Sequence, residues 1–206
     1  MNPRSFLPFA CAASAFAAAA ALAVAAEPAV EAHEMLKSAV DEVLAIAYDG
    51  QTATTPLALR VRPALEKYFN FATITRRAIG PGWRQFTPEQ QARATTLFTD
   101  LVIRTYADRF EVGNRPGITY SKAVIPDATK PMLRELPTTI DYAGKKYSVI
   151  YRVEQAGDSW RVYDVIIEGV SMIANWRSQL DPIFQKGGAP AVIASLEKNL
   201  AQPVVK

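Results

Sequence analysis

The sequence contains few of the side chains that usually perform catalysis or bind metals. His33 is the only histidine and Cys11 the only cysteine among the 206 residues. A Ser-His-Asp triad or a histidine-based zinc site would have to be built on His33, which lies near the N-terminus and far in sequence from any other cluster of reactive groups. We therefore expect neither nucleophilic catalysis nor a metal site.

Asp164 and Glu168 form the acidic pair closest to what a general acid–base enzyme requires. Four residues along an extended strand place them ~13 Å apart, whereas paired glycosidase carboxylates lie within roughly 5 to 9.5 Å of each other. This spacing favours structural roles, with Asp164 accepting hydrogen bonds inside the fold and Glu168 lying near a helix N-terminus, where negative charge is favourable. An enzyme acting on lipids or envelope polymers stays open as an alternative.

Four arginines are candidates for contacts with a phosphate group, because a guanidinium pairs with phosphate through two parallel hydrogen bonds. These are Arg76, Arg77, Arg84 and Arg104. They are equally compatible with solvated surface positions, where most arginines lie. The sequence does not separate the two interpretations.

The first 26 residues predict a cleaved signal peptide. Arg4 supplies a positive charge, an alanine-rich apolar stretch follows, and the small residues before Ala26 predict cleavage near Ala25 or Ala26. A membrane-spanning helix is the competing interpretation, because the apolar stretch is about 20 residues long. Cleavage removes Cys11 and leaves one exported domain, residues 27–206, without a disulfide.

The charge balance does not suggest nucleic-acid binding. The sequence has 23 basic and 20 acidic side chains, so loss of Arg4 reduces the net charge from +3 to +2. Nucleic-acid binders usually carry a concentrated basic stripe. After the signal peptide no stretch is apolar for long enough to cross a bilayer, so we expect a soluble exported protein that does not bind nucleic acid.

Apolar residues at three- and four-residue steps predict helices in the first half of the mature chain. Residues 31–48 form the first helix and residues 56–68 the second, which Pro63 is expected to break or kink. A short third helix ends at Gly80-Pro81-Gly82.

The longest predicted helix begins with a clear start signal. Thr87 is placed as N-cap, Pro88 at the first helical position, and Gln90 at the position that closes a capping box. The apolar face continues to about residue 110, and Gly113-Asn114 is expected to end the helix.

Alternation of apolar and polar residues predicts strands in the next part of the chain. Ala143-Gly144 and the turn residues around Gly157 are hairpin signals, so the strands should form an antiparallel meander. The predicted strands are residues 118–124, 132–142, 145–154 and 160–167. Helices, a four-stranded antiparallel sheet and further helices together indicate an α+β domain.

The run SWRVYDVIIEGVSMIAN, residues 159–175, combines the last strand with the next helix. Strict alternation would place Trp160 and Val162 on the opposite face from Val165 and Ile167. Because both faces are mostly apolar, the pattern predicts a central strand covered on both sides. From Val170 onward the period becomes helical. Gly187-Gly188 is expected to cap this helix, before a final helix over residues 190–200.

Three blocks of the sequence resemble one known family. YDVIIEGVSMIANWRSQ is similar to the C-terminal signature of the MlaC (toluene-tolerance) family of periplasmic phospholipid carriers. FTPEQQARATTLFTDLVIRTYADRF resembles the central helix of that family, and FNFATITRRAIGPGWRQ the segment before it. The blocks follow the order and spacing of the family across residues 63–200.

The resemblance implies a fold, a function and partners. The fold would be a curved antiparallel sheet of the cystatin-like or nuclear-transport-factor-like type, covered by helices that enclose an apolar pocket. The function would be a periplasmic lipid carrier, without cofactor, that binds the acyl chains of a glycerophospholipid as cargo. The partners would be the lipid-binding subunit of an inner-membrane ABC transporter and an outer-membrane lipoprotein complex.

The residues expected to contact the acyl chains lie on inward-facing stripes within the matched blocks. They are Phe71, Ile74, Phe98, Leu101, Val102, Tyr106, Val149, Tyr151, Val165, Ile167, Val170 and Ile173.

Two departures from the family pattern affect the expected shape of the pocket. Residues 129–142 match the usual strand pair poorly, and Asp181-Pro182 lies in a helix that is usually free of proline. Alternative functions therefore stay open: a carrier of hopanoids or other polycyclic lipids, or a non-enzymatic adaptor between envelope proteins.

Overall fold

The computed structural model describes residues 28–49, 55–107 and 115–202. The predicted signal peptide, residues 1–26, and the predicted helix end at Gly113-Asn114 lie outside these ranges. Within these ranges, five α-helices, one 3₁₀ helix and five strands occur in the order α1 (Pro28–Ala47), α2 (Leu57–Tyr68), α3 (Phe71–Ile79), the 3₁₀ helix (Gly80–Gln85), α4 (Pro88–Ala107), β1 (Gly117–Tyr120), β2 (Leu133–Tyr142), β3 (Lys145–Ala156), β4 (Ser159–Ile167), β5 (Val170–Ser171) and α5 (Met172–Ala201).

The predicted α+β class and antiparallel meander are confirmed. The strands form one sheet in the order β1-β2-β3-β4-β5, and every neighbouring pair is antiparallel. The fifth strand was not predicted, because its two residues are too few to show a period. It pairs only with Ile166 and Ile167 at the end of β4.

A β-bulge in β4 corrects the predicted faces of that strand. Val153 pairs with Val162 whereas Arg152 pairs with Asp164, so Tyr163 is an extra residue in β4. A bulge of this kind changes the side to which the following residues point. Trp160 and Val162 therefore share a face with Val165 and Ile167, contrary to strict alternation.

The sequence predicted β4 to be a central strand covered on both sides. Helices do cover both of its faces, α1 on one and α3 and α5 on the other, but β4 lies next to the two-residue edge strand β5. Beyond the two residues of β5, its edge is covered by the segment between α2 and α3. Phe69 forms a parallel bridge with Val162, and the Asn70 N–H donates to the Val162 carbonyl at 2.8 Å. This segment protects the edge from pairing with other chains.

The helix α4 begins as predicted. The Gln90 N–H donates to Thr87 Oγ1 at 3.3 Å, and the Thr87 N–H donates to Gln90 Oε1 at 3.0 Å, which completes the capping box. The predicted break at Pro63 is wrong, because α2 continues through it. The neighbouring Val61 and Ala64 are buried, and their packing offsets the missing hydrogen bond.

The helix α5 runs through Pro182 and changes direction at Gly187-Gly188, where the backbone leaves helical geometry. The prediction that the first helical segment ends at these glycines is therefore confirmed, and a second helical segment follows the bend. No helix in the part of the chain that the structure describes has both the length and the apolar character needed to span a bilayer.

Two apolar clusters hold the domain together. The larger lies among α2, α3, α4, α5 and the 3₁₀ helix, with Phe98, Trp176 and Leu196 among its buried members. The smaller lies between α1 and the sheet, where Leu36 packs with Leu136 and Val162. Phe69 contacts both clusters and links them.

Candidate functional site

A cavity of about 400 Å³ lies between the sheet and the helices. Its floor is the face of the sheet that α1 covers, and its sides come from α2 and α4. The sheet contributes Ile118, Ile140, Tyr142, Tyr147, Val149, Tyr151, Val165 and Ile167. The helices and their connections contribute Leu36, Ala39, Val40, Val43, Leu44, Tyr48, Val61, Leu65, Phe69, Phe71, Val102, Ile103, Tyr106, Ala107 and Met172, and Pro116 precedes β1.

The chemical character of the lining is apolar. None of the described residues that line the cavity carries a charge, and the polar side-chain atoms among them are tyrosine hydroxyls. A volume of this size falls in the range of about 300–1,000 Å³ that is usual for small-molecule sites. The cavity suits hydrocarbon, and its described lining residues include no carboxylate, imidazole, thiol or serine hydroxyl.

The β2–β3 turn and the end of β4 form one end of the cavity, which we call the hairpin end. Tyr142 and Tyr147 line it from the two sides of the Ala143-Gly144 turn, and Ile167 lies beside them. Ile167 is 38% exposed, so the cavity reaches solvent here.

Local sequence explains why the sheet face that forms the floor and the face of α1 above it are apolar. The bulge at Tyr163 places Val165 opposite Tyr151 and Ile167 opposite Val149, so that four cavity-lining side chains lie together. On α1 the apolar residues recur at three- and four-residue steps and form one continuous face over the sheet.

Burial affects the ionisation of the tyrosine in the middle of the floor. The apolar surroundings raise the pKa of Tyr151 to about 12, and the nearby Tyr120 adds a smaller effect in the same direction. Loss of the hydroxyl proton would place a charge in an apolar environment. Tyr151 therefore remains neutral at physiological pH.

Seven of the twelve residues predicted to contact acyl chains line this cavity. They are Phe71, Val102, Tyr106, Val149, Tyr151, Val165 and Ile167. Contact with lipid itself stays a prediction for each of them.

The other five predicted residues lie elsewhere. Ile74, Phe98, Leu101 and Ile173 are buried in the larger apolar cluster, where protein side chains already surround them. Val170 is 61% exposed and pairs with Ile167 beyond the hairpin end.

The sequence prediction missed the contribution of α1. Leu36, Val40, Val43 and Leu44 line the cavity, although the apolar stripe that they form was visible in the sequence. The resemblance does not point to them, because the blocks that resemble the family begin after α1. Periodicity shows that a helix face is buried but not whether it faces side chains or open space.

The acidic residues have structural partners. Asp164 is buried and accepts hydrogen bonds from Ser171 Oγ at 2.7 Å and from the Ile173 N–H at 3.1 Å. This confirms its predicted role as an acceptor inside the fold. The Glu168 carboxylate accepts from the Ser148 N–H on β3, so Asp164 rather than Glu168 provides the negative charge beside the α5 N-terminus.

The candidate phosphate-binding arginines do not converge on the cavity. Arg104 donates to the Leu200 and Asn199 carbonyls at the end of α5. Arg77 stacks on the ring of Tyr163, 4.2 Å from its centroid, and Arg76 and Arg84 are exposed.

His33 likewise lies away from the cavity. Its Nε2 is 2.8 Å from the Ser121 carbonyl and joins α1 to the segment after β1. No group of three or more potential metal ligands occurs among residues 28–49, 55–107 and 115–202.

A second cleft, of about 340 Å³, is polar and lies between α2 and α4. Arg62 in this cleft pairs with Glu66 and Asp100. Phe69 and Phe71 separate the polar cleft from the apolar cavity and line both. The two spaces are therefore chemically distinct, and only the larger suits hydrocarbon.

The fold and the cavity together define a class: an α+β protein whose curved sheet and helices surround an apolar binding cavity. Residues 37–198 match the MlaC protein family. Because this match spans most of the sequence, the chain belongs to the MlaC family.

The chain is also similar to two individual proteins. The toluene tolerance protein ttg2D of Pseudomonas putida is 29% identical over 105 residues, which cover 51% of this chain and 48% of that protein. The chain therefore matches about half the length of this curated relative. The solved structure of a phospholipid-binding protein from Ralstonia solanacearum, in complex with a phospholipid, is similar with a TM-score of 0.75 and 27% identity, covering 84% of this chain and 98% of that one.

Proposed function

We propose that the chain is a periplasmic lipid carrier that binds a glycerophospholipid by its acyl chains and moves it between inner- and outer-membrane transport complexes. The observation that carries this proposal is the apolar cavity of about 400 Å³ between the sheet and the helices. Membership of the MlaC family and the likeness to a phospholipid-bound protein support the same class of ligand.

The cost of exposing hydrocarbon to water explains why a carrier is needed. Each buried methylene gains about 0.8 kcal/mol, so two chains of ~16 carbons gain more than about 20 kcal/mol on burial. A phospholipid therefore does not leave a membrane for water at a useful rate. A lining without charged side chains shields the hydrocarbon and leaves the polar headgroup at the opening.

The proposed function is non-enzymatic. The Asp164 carboxylate accepts hydrogen bonds from Ser171 and Ile173, and the Glu168 carboxylate accepts one from Ser148. Both carboxylates therefore already have structural partners. If the chain were a hydrolase that uses this pair, an Asp164→Asn, Glu168→Gln double variant would lose activity towards lipids that the unmodified protein degrades. We expect no degradation by either protein.

Location and partners are parts of the same proposal. Export rests on the signal peptide predicted in residues 1–26, and the partners rest on the family. Intact-mass measurement of protein from the periplasmic fraction should show a chain that begins just after Ala25 or Ala26. A full-length mass in the membrane fraction would contradict export as a free carrier.

Handover of lipid tests the carrier function. The protein, loaded with labelled phospholipid, is mixed with the soluble domain of the lipid-binding subunit from the cognate transporter. After the two are separated again, the label on each is counted. We expect the label to distribute between them, and an Ala45→Phe variant, altered on the exposed side of α1, to behave in the same way. Label that never exchanges would contradict shuttling, and a co-purified polycyclic lipid in place of phospholipid would favour the hopanoid alternative.

A further inference from the structure

The hairpin end of the cavity carries two hydrogen-bond donors, neither of which has a partner in the described part of the chain. Lys145 pairs with Tyr142 across the β2–β3 turn, and directly paired residues point to the same face of a sheet. Tyr147 lies two residues further along β3, so it points to this face as well and lines the cavity. Neither the Lys145 ammonium nor the Tyr147 hydroxyl contacts a hydrogen-bond or ion-pair partner among the described residues.

Among the residues that the structure describes, the carboxylates near this end do not neutralise Lys145. Asp141 pairs with Lys146 on the opposite face of the hairpin. The Glu168 carboxylate is held by the Ser148 N–H. The cavity itself has no charged side chain among its described lining residues. An exposed cation next to an apolar opening is therefore left for an anion that comes with the ligand.

We propose that Lys145 and Tyr147 bind the phosphodiester group of a phospholipid whose acyl chains fill the cavity. This inference rests on the proposed function and specifies which class of lipid it concerns. A lysine ammonium binds phosphate as a compact positive charge, and a phenol hydroxyl adds a directed donor beside it. A neutral polycyclic lipid would supply no anion to either group.

The arrangement also fixes the orientation of the ligand. Tyr147 lies at the hairpin end, and Tyr151 lies four residues along β3, ~13 Å further inside at about 3.3 Å per residue. With the phosphate at Lys145 and Tyr147, the acyl chains run along β3 past Tyr151 towards the part of α1 that includes Leu36.

Competition between two lipids that differ only at the headgroup tests the inference. The protein is stripped of lipid and equilibrated with vesicles that contain equal amounts of phosphatidylglycerol and of diacylglycerol with the same acyl chains. The bound lipids are then extracted and counted. We expect the unmodified protein to prefer phosphatidylglycerol by roughly tenfold. Lys145→Gln and Tyr147→Phe should each reduce that preference roughly threefold, the size typical of an exposed charge-assisted contact, and together remove most of it.

Lys146→Gln is the matched control. It removes the same charge one residue away, but from the face that points away from the cavity. Its lipid preference should equal that of the unmodified protein. Equal losses in Lys145→Gln and Lys146→Gln would show a general effect of charge and overturn the inference, as would no loss in Lys145→Gln.

Two further outcomes separate this inference from the proposed function. Unmodified protein that binds both lipids equally would refute the phosphate contact but leave the lipid carrier intact, whereas protein that binds neither would refute both. Inorganic phosphate added as a competitor should not displace the lipid or change the preference. Displacement by phosphate alone would identify a free-phosphate site and contradict binding of the lipid phosphodiester.

Discussion

Asp164 fixes the junction between the sheet and the last helix. Its Oδ2 accepts a hydrogen bond from Ser171 Oγ, whose oxygen in turn accepts from the Ala174 N–H at 3.1 Å as the N-cap of α5. Its Oδ1 accepts from the Ile173 N–H in the first turn of that helix. A buried carboxylate at a helix N-terminus satisfies free N–H groups and is stabilised by the helix dipole.

Replacement of Asp164 by asparagine should destabilise the protein without changing its shape. The amide oxygen can still accept from the Ile173 N–H, but the NH2 group takes the place of the oxygen that accepts from Ser171 Oγ and faces Arg152. The substitution also removes the negative charge beside the α5 N-terminus. We expect the free energy of unfolding, measured with urea, to fall by roughly 2 kcal/mol. Asp158→Asn, in the exposed β3–β4 turn, should change it by less than about 0.5 kcal/mol. Equal stability of the two variants would contradict the role given to Asp164.

Tyr151 predicts a specific loss of stability at alkaline pH. Its folded pKa is raised to about 12 from an ordinary value of 10.0. Between these values the unfolded chain releases the proton while the folded chain keeps it, so stability falls as pH rises from about 10 to about 12.

A Tyr151→Phe variant lacks this proton and should show a shallower decline than the unmodified protein. The difference should be up to about 1.4 kcal/mol per pH unit inside the window and absent below it. Urea unfolding at pH 8, 9 and 11 measures it, and the values at pH 8 and 9 serve as the internal reference. Identical losses in the two proteins at pH 11 would show that Tyr151 does not titrate as described.

At the scale of elements, the sequence predicted helices better than it predicted strand faces. Thr87, Pro88 and Gln90 locate the start of α4 because capping depends on residues next to each other in the chain. The faces of β4 could not be predicted beyond Val162, because the bulge at Tyr163 arises from pairing with β3. A register shift of this kind leaves no local mark when every residue involved can occupy a buried strand.

The cavity was harder to predict than the elements that surround it. Seven of the predicted residues lie on inward-facing stripes and line the cavity. Ile74 and Phe98 also lie on inward-facing stripes, but they pack in the core. The two groups have the same pattern in the sequence. Which side chains face open space depends on how the helices pack against the sheet, and local sequence does not show this.

Gly82 tests the packing of the 3₁₀ helix against α5. A Cβ added at this residue would lie 2.6 Å from Cε1 of Phe184, closer than carbon atoms can approach. Gly82→Ala therefore requires the buried Phe184 ring or the elements themselves to shift, and we expect a loss of roughly 1–3 kcal/mol in the free energy of unfolding by urea. In Gly117→Ala the new atom would meet Asp141 Cβ at 3.8 Å, an ordinary contact, so this variant should keep normal stability. A Gly82→Ala protein as stable as Gly117→Ala would contradict the close approach.

At the scale of the whole molecule, the cavity occupies the space between two separately packed clusters. The larger cluster packs α2, α3, α4, α5 and the 3₁₀ helix together, and the smaller packs α1 against the sheet. Phe69 contacts both clusters. Protein interiors are normally close-packed, so unfilled space loses contacts that a guest molecule can restore. This division into two clusters explains how one small domain can keep a stable core and still hold apolar space for a ligand.

Filling that space with a protein side chain should compete with lipid. Ala39 lies on α1, is buried and lines the cavity, whereas Ala45 lies on the exposed side of the same helix. Ala39→Phe and Ala45→Phe add the same ring to the same helix, so effects on helix propensity are matched. Only the first reduces the room available to acyl chains.

Native mass spectrometry of these proteins, purified without added lipid, tests the central claim most directly. We expect the unmodified protein and Ala45→Phe to carry a co-purified phospholipid, and Ala39→Phe to carry several-fold less while showing the same circular-dichroism spectrum. Unmodified protein that is entirely empty, or Ala39→Phe that is loaded as fully as Ala45→Phe, would contradict the claim that this cavity holds the hydrocarbon of a lipid.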